Sequence, residues 1–96
     1  MSKLDVTIGG YTYKDVYIIW KRYHDMTPRM DLYDDEGCVC TVSVWLDEPP
    51  APGCIWVKDW SENAGVLKSL TSLAILKPTG KEHNINFVTA KEAKIL

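Results

Sequence analysis

Apolar and polar residues alternate along the first half of the chain with the period of two that is typical of β-strands. Val6 and Ile8 share one side of a short strand that ends at Gly9-Gly10. Residues 11–23 form a longer run, rich in β-branched and aromatic side chains, that is apolar on both sides. This pattern predicts a central strand. Its second apolar face requires a sheet that curls, or a partner chain that covers it.

The next two runs predict a β-hairpin. Residues 30–33 and 38–46 each alternate in period two, and the turn between them is Asp34-Asp35-Glu36-Gly37. Gly37 can adopt the positive φ that a tight turn requires. A loop with three prolines, residues 47–53, follows, because proline cannot donate to a strand ladder. Residues 54–57 then predict a short strand.

After this short strand the apolar period becomes that of a helix, and we predict one α-helix over about residues 60–74. Its apolar positions are Val66, Leu67, Leu70, Leu73 and Ala74. Asp59 or Ser61 can cap the helix, with Glu62 at the spacing of a capping box, and Pro78 ends it. The remaining tail alternates loosely and predicts one or two closing strands.

These elements together predict an α+β fold in a single domain over residues 1–96. We expect a twisted antiparallel β-sheet of five to six strands, packed by one α-helix that covers an apolar face of the sheet. A chain of 96 residues is too short for two domains, and its 46% of hydrophobic residues are enough for a core.

Charge is distributed unevenly along the chain. Residues 1–48 hold five Lys/Arg and nine Asp/Glu, whereas residues 49–96 hold six and four. The net charge of −2 makes nucleic acid an unlikely partner, because nucleic-acid binders usually carry a basic surplus. The acidic half is either a solvated surface of mixed sign or a face that meets a basic partner. That candidate face comprises Asp31, Asp34, Asp35, Glu36, Asp47 and Glu48.

The expected compartment is a reducing cytoplasm without membrane association. No apolar run approaches the roughly 20 residues that span a bilayer, and the first residues lack the apolar core of a signal peptide. Three cysteines, an odd number, fit a reducing compartment better than a disulfide scaffold.

Candidate catalytic and metal-binding residues are few, and we expect no enzymatic activity, no metal and no other cofactor. Cys38, Cys40 and Cys54 could supply three zinc ligands, but a structural zinc site usually has four, so small apolar residues on a strand are the simpler interpretation. His24 and His83 are the only histidines, and no nucleophile or phosphate-loop motif accompanies them.

The strongest candidate for a binding site is the polar cluster at the predicted strand-to-helix junction. Lys58, Trp60 and Asn63 lie there beside Trp56, and Trp45 precedes them. Exposed aromatic and basic side chains of this kind make interface hot spots. The same residues can instead cap the helix and anchor it to the sheet, and both roles can hold together. The acidic turn Asp34-Asp35-Glu36 is the second candidate surface.

A longer motif surrounds this junction. Its centre is Val57-Lys58-Asp59-Trp60-Ser61-Glu62-Asn63 with Gly65, followed by Pro78-Thr79-Gly80. Its flanks are Leu32-Tyr33, the turn Asp35-Glu36-Gly37, a Thr-x-Ser-Val strand at residues 41–44, Pro52-Gly53 and Lys81. With these residues, most of the chain resembles a family of small uncharacterised proteins of bacterial plasmids, phages and integrative elements. Asn86-Phe87 departs from the Gly-Phe pair of that pattern.

The resemblance implies an accessory protein of a mobile element that works in a bacterial cytoplasm, and it carries no activity with it. Our leading hypothesis is a non-enzymatic protein that binds a host or mobile-element protein, such as a host-takeover or counter-defence inhibitor. The second is an aromatic-lined binder of a small ligand or of single-stranded nucleic acid, through Trp45, Trp56, Trp60 and Lys58. The third is a homo-oligomeric structural module, for instance a homodimer, formed through an uncovered sheet face.

Overall fold

The computed structural model describes residues 3–96 and shows seven strands and one α-helix. The strands are β1 Leu4–Ile8, β2 Tyr11–Arg22, β3 Pro28–Asp34, β4 Gly37–Thr41, β5 Cys54–Val57, β6 Leu76–Ile85 and β7 Val88–Ile95, and the helix is α1 Val66–Ser72. Met1 and Ser2, the first residues of the predicted domain, lie outside the described residues.

The strands form two antiparallel sheets, so the predicted α+β class is confirmed, whereas the predicted single sheet of five to six strands is wrong. The first sheet has the order β1-β2-β3-β4 and the second has the order β5-β7-β6. The predicted hairpin between β3 and β4 is present, with a bulge in the register beside Tyr33.

The division into two sheets arises where the predicted strand 38–46 bends. The amide of Val42 donates to the carbonyl of Met30 in β3 at 2.8 Å, whereas the amide of Val44 donates to Trp56 in β5 at 2.9 Å. Ser43 forms an antiparallel bridge with Val57. This short segment therefore leaves one sheet and joins the other, which period-two alternation cannot distinguish from a straight strand.

The helix is shorter than the predicted span of residues 60–74. A single 3₁₀ turn over Ser61–Asn63 comes first, and α1 begins after Gly65, whose φ is 93°. The predicted capping box does not form, because the Asp59 carboxylate accepts hydrogen bonds from the amides of Gly65 (2.9 Å) and Leu67 (3.3 Å). Ala74, with φ 59°, follows the end of the helix.

The helix packs against β1 and β6, which are each an outer strand of their sheet. The amide of Thr7 in β1 donates to Ser69 Oγ at 3.0 Å, and the amide of Gly9 donates to the carbonyl of Ala64 at 2.7 Å. These bonds cover one end of the β1 edge that has no strand neighbour.

One hydrophobic core joins both sheets and the helix. The first sheet contributes Val6, Ile8, Val16, Met30, Leu32 and Val42, the second contributes Ile55, Val57, Leu76 and Ala93, and the helix contributes Val66, Leu67 and Leu70. Full burial of a Val, Leu, Ile or Met side chain stabilises a fold by about 1.5–3 kcal/mol. Leu73, which belongs to the predicted apolar stripe, lies outside this core and is exposed.

The closing strands β6 and β7 form a long hairpin. Its turn places Asn86 at φ 53°, a conformation that Asn adopts more readily than most residues other than Gly. Phe87 beside it is fully exposed. The register of β6 slips between Pro78 and Glu82, so the intervening residues bulge out of the ladder.

The outer face of β2 and β3 is covered by ion pairs rather than by another layer. Asp31 is buried, and its carboxylate lies 3.1 Å from both Lys21 Nζ and Arg29 Nε. Burial would raise the pKa of Asp31, but hydrogen bonds from Lys21, Arg29 and Thr41 outweigh it, and the pKa is lowered. Asp31 therefore does not belong to an exposed acidic face.

Candidate protein-binding groove

A groove opens where the chain passes from the first sheet to the second, and we name it the junction groove. Its volume is about 480 Å³. Three parts of the chain line it. They are Tyr23 just after β2, residues 39–41 and 43–45, and the turn with Lys58, Glu62 and Asn63. It therefore brings together three of the residues predicted from the sequence, which are Trp45, Lys58 and Asn63.

Trp45 lies at the border of this groove and is hydrogen-bonded there. Its Nε1 donates to Asp25 Oδ2 at 3.0 Å, and its ring lies 4.8 Å from the ring of His24. Hydrogen bonds from the side chain and backbone of Thr27, and from Trp45, lower the pKa of Asp25 to about 2. Asp25 is thus an anion at neutral pH, and the indole, 37% exposed, is oriented while it still faces solvent.

Ser43 contacts both sheets: its backbone forms the bridge with Val57 of β5, and its side chain bonds to the first sheet. Its Oγ accepts the amide of Met30 at 3.0 Å and lies 2.9 Å from the hydroxyl of Tyr23. Cys40 lies nearby, and burial raises the pKa of its thiol to about 11. The hydroxyl and the thiol at the groove are therefore a structural hydrogen-bonding group and a neutral side chain at physiological pH.

The turn after β5 provides the third part of the groove. Lys58 Nζ lies 2.6 Å from Glu62 Oε1, and the hydrogen bond from Lys58 lowers the pKa of Glu62 to about 2. Asn63 is buried, and its Nδ2 donates to the carbonyl of Thr41 at 2.7 Å. Lys58 and Glu62 are the exposed charges here, whereas Asn63 links the turn to β4.

Trp56 has a structural position away from the groove. The side chain is 1% exposed, and its Nε1 donates to the carbonyl of Glu48 at 2.8 Å. His83 and Lys81 lie 5.8 Å from its ring. Trp56 therefore anchors the proline-containing loop to the second sheet and is not available for stacking at the surface. Trp60, which is partly exposed, precedes the 3₁₀ turn and does not line the groove.

The Pro78-Thr79-Gly80 part of the motif also has a structural explanation. Glu92 is buried, and its carboxylate accepts hydrogen bonds from Thr79 Oγ1 at 2.7 Å and from the amide of Ala51 at 3.0 Å. The bulge of β6 and the proline-containing loop are thus held by one carboxylate. The backbone bond from Ala51 is the main reason that the pKa of Glu92 is lowered.

The acidic turn lies at the start of β4. Asp35 and Glu36 are exposed, and Asp34 Oδ1 accepts the amide of Glu36 at 2.9 Å. Among residues 3–96, none of these three carboxylates forms a salt bridge. The turn is therefore an anionic surface beside the strand that leads into the junction groove.

Three candidates at or beside the groove were not predicted from the sequence, Tyr23, Asp25 and Ser43, and His24 was considered only for metal binding or catalysis. The run Tyr23-His24-Asp25 follows the long strand, where the sequence shows only a break in alternation. Its relation to Trp45 depends on the pairing of β2, β3 and the segment after β4, which brings residues 20 positions apart into contact. The alternation of apolar and polar residues along the chain cannot predict a contact between residues so far apart in sequence.

In the part of the chain that the structure describes, no group of three or more His, Cys, Asp and Glu side chains is arranged to hold a metal ion. Over the same residues, no helix has the length and apolar character that crossing a membrane would need. Comparison with family models, with curated proteins and with solved structures finds no match for this chain.

Proposed function

We propose that this protein is a non-enzymatic binding protein that engages a partner protein through the junction groove. The observation that carries the proposal is Trp45, an exposed indole at the border of a groove that donates to Asp25 and lies against the ring of His24. Tryptophan is enriched among the residues that dominate interface energies. A side chain that is already ordered loses less conformational entropy when a partner binds.

The polar groups of the groove favour binding over catalysis. Ser43 Oγ is engaged with the Met30 amide and the Tyr23 hydroxyl, and the pKa of Cys40 is far above physiological pH. A catalytic nucleophile needs an adjacent base or a lowered pKa, and neither of these two groups shows such activation.

The biological setting we propose follows from the sequence resemblance to mobile-element proteins. The partner would be a protein of the bacterial host or of the element itself, met in the bacterial cytoplasm. A host-takeover or counter-defence inhibitor is the role that fits a small acidic binding protein best, because charge complementarity can steer it to basic clefts.

A capture experiment with matched variants tests the proposal. The wild type, Trp45→Ala and Trp20→Ala are immobilised, exposed to bacterial lysate and compared by quantitative mass spectrometry. Trp20 is the control because it is 44% exposed and does not line the groove. We expect a partner that Trp20→Ala retains and that Trp45→Ala binds roughly tenfold or more weakly. Equal recovery by both variants, with native circular dichroism, would contradict the proposal.

The other two hypotheses have distinct measurements. Single-stranded oligonucleotides added at low salt should leave the tryptophan emission unchanged, because buried Trp56 cannot stack on a base. Quenching that disappears in Trp45→Ala would favour the nucleic-acid hypothesis instead. A dimeric mass in light scattering at high concentration would favour the homo-oligomeric one.

A further inference from the structure

We propose that the partner segment is an extended basic peptide that pairs with the open edge of β4 and extends along the junction groove to Trp45. The inference rests on the proposed function, and it adds a binding mode and a partner chemistry to it. Two features carry it: the edge of β4 that lines the groove has no strand neighbour among residues 3–96, and exposed carboxylates without a cationic partner lie at the start of β4.

The edge of β4 differs from the outer edges of β1 and β6. One end of the β1 edge is covered by the helix, where the Thr7 amide donates to Ser69 and the next turn donates to Ala64. The edge of β6 is interrupted by Pro78, which has no amide to donate, and by the adjacent bulge. Pro, bulges and covering groups are the usual means by which proteins prevent pairing at a strand edge.

The edge of β4 is protected in part, by a bulge where its register with β3 shifts beside Tyr33. Within residues 3–96, β4 has β3 as its strand partner on one side, and on the other side the recorded hydrogen bond is that from Asn63 Nδ2 to the carbonyl of Thr41. Val39, Cys40 and Thr41 line the groove along this edge. The five residues of β4 span about 17 Å, enough to pair with a short extended segment.

The charges around β4 indicate which side chains the bound peptide would carry. Asp35 and Glu36 are exposed at the start of β4 and have no cationic partner among the described residues. At the other end, Lys58 balances the charge of Glu62, so the excess negative charge lies at the start of β4. A Lys or Arg side chain can also contact the exposed part of the Trp45 ring. An extended segment with basic residues therefore complements this edge better than an acidic or neutral one.

Selection from a random peptide library tests the inference without knowledge of the natural partner. The wild type is the bait, and each enriched peptide is titrated against the wild type and three variants: Trp45→Ala, the charge reversal Asp35→Lys with Glu36→Lys, and the control Glu82→Lys on β6. Each peptide is also made with N-methyl groups at alternate residues, which remove the amides that strand pairing needs while the side chains remain.

We expect enrichment of Lys- and Arg-containing peptides that bind about tenfold more weakly to the charge-reversed protein and unchanged to Glu82→Lys. N-methylation in one of the two alternating registers should abolish binding, and the amides of β4 should shift in NMR spectra. Peptides that need Trp45 but tolerate both charge reversal and N-methylation would overturn this inference and leave the proposed function in place. Enrichment that is equally strong on Trp45→Ala would overturn both, and a library that yields no binder would overturn the inference.

Discussion

Asp59 organises the start of the helix from a distance along the chain. One carboxylate oxygen receives the amides of Gly65 and Leu67, two groups that the first turn of a helix leaves without partners. Asn63 acts similarly on β4, where its buried amide satisfies the carbonyl of Thr41. At the scale of single residues, much of the motif around Trp60 is therefore explained by backbone groups that need a hydrogen-bond partner.

Replacement of Asp59 by Ala should lower the free energy of unfolding by about 1–2 kcal/mol, because both helix amides lose their acceptor. Urea denaturation followed by circular dichroism measures this change. Asp47→Ala is the control, since Asp47 is exposed in the loop. Equal stability of the two variants would mean that the Asp59 bonds contribute nothing to the helix.

At the scale of elements, the β6–β7 hairpin and the proline-containing loop depend on one buried carboxylate. Glu92 receives Ala51 from the loop and Thr79 from the bulge of β6. Trp56 packs beside them and donates to Glu48 in the same loop. Ala51 and Glu48 thus attach the loop to the second sheet. Thr79 of the bulge donates its hydroxyl to the same Glu92 carboxylate that holds Ala51.

The attachment through Glu92 should make stability depend on pH. The ordinary pKa of this group is 4.5, and the folded protein lowers it. The unfolded chain therefore binds the proton more readily, and the stabilisation is present above about pH 4.5 and decreases as the pH falls below it. We expect the stability advantage of the wild type over Glu92→Gln to shrink between about pH 7 and pH 3.

Chemical denaturation at a series of pH values measures that difference. Gln keeps an oxygen for the Ala51 amide but has no charge to titrate, so it isolates the contribution of ionisation. Glu82→Gln, at an exposed position of β6, is the matched control and should show no comparable trend. A constant difference between the wild type and Glu92→Gln across the range would contradict the assignment.

Local patterns predicted the elements better than their arrangement. The hairpin from β3 to β4 followed from alternation and a Gly-containing turn, and the helix followed from the spacing of Val66, Leu67 and Leu70. The bend at Ser43 was not predictable, because both halves of that run alternate alike and only pairing with β5 separates them. Trp45 and Lys58 were predicted as candidate residues. The groove that they share was not predictable, because it depends on the same bend.

At the scale of the whole molecule, the two sheets meet through a short stretch of backbone and share one core. Ser43 lies at this meeting point and connects Met30 of the first sheet with Tyr23 of the loop that follows β2. Because core residues come from both sheets and the helix, we expect the sheets to unfold together in one transition.

Two substitutions at this junction should differ in severity. Ser43→Ala leaves the buried amide of Met30 without its acceptor and should cost about 1–3 kcal/mol of unfolding free energy. Tyr23→Phe removes the other partner of the same hydroxyl but keeps the Met30 bond, so its cost should be smaller, about 1 kcal/mol. Thermal and urea unfolding of both variants measure the order, and a larger effect for Tyr23→Phe would contradict it.

The order of the strands along the chain has a practical consequence. All four strands of the first sheet precede the proline-containing loop, and all three strands of the second sheet follow it, together with the helix. A cut between Ala51 and Pro52, both exposed, would therefore yield two fragments that each contain a whole sheet and part of the core. Neither fragment can cover its apolar face alone, so the two should reassemble when mixed, and the molecule offers the basis of a split reporter for proximity inside cells.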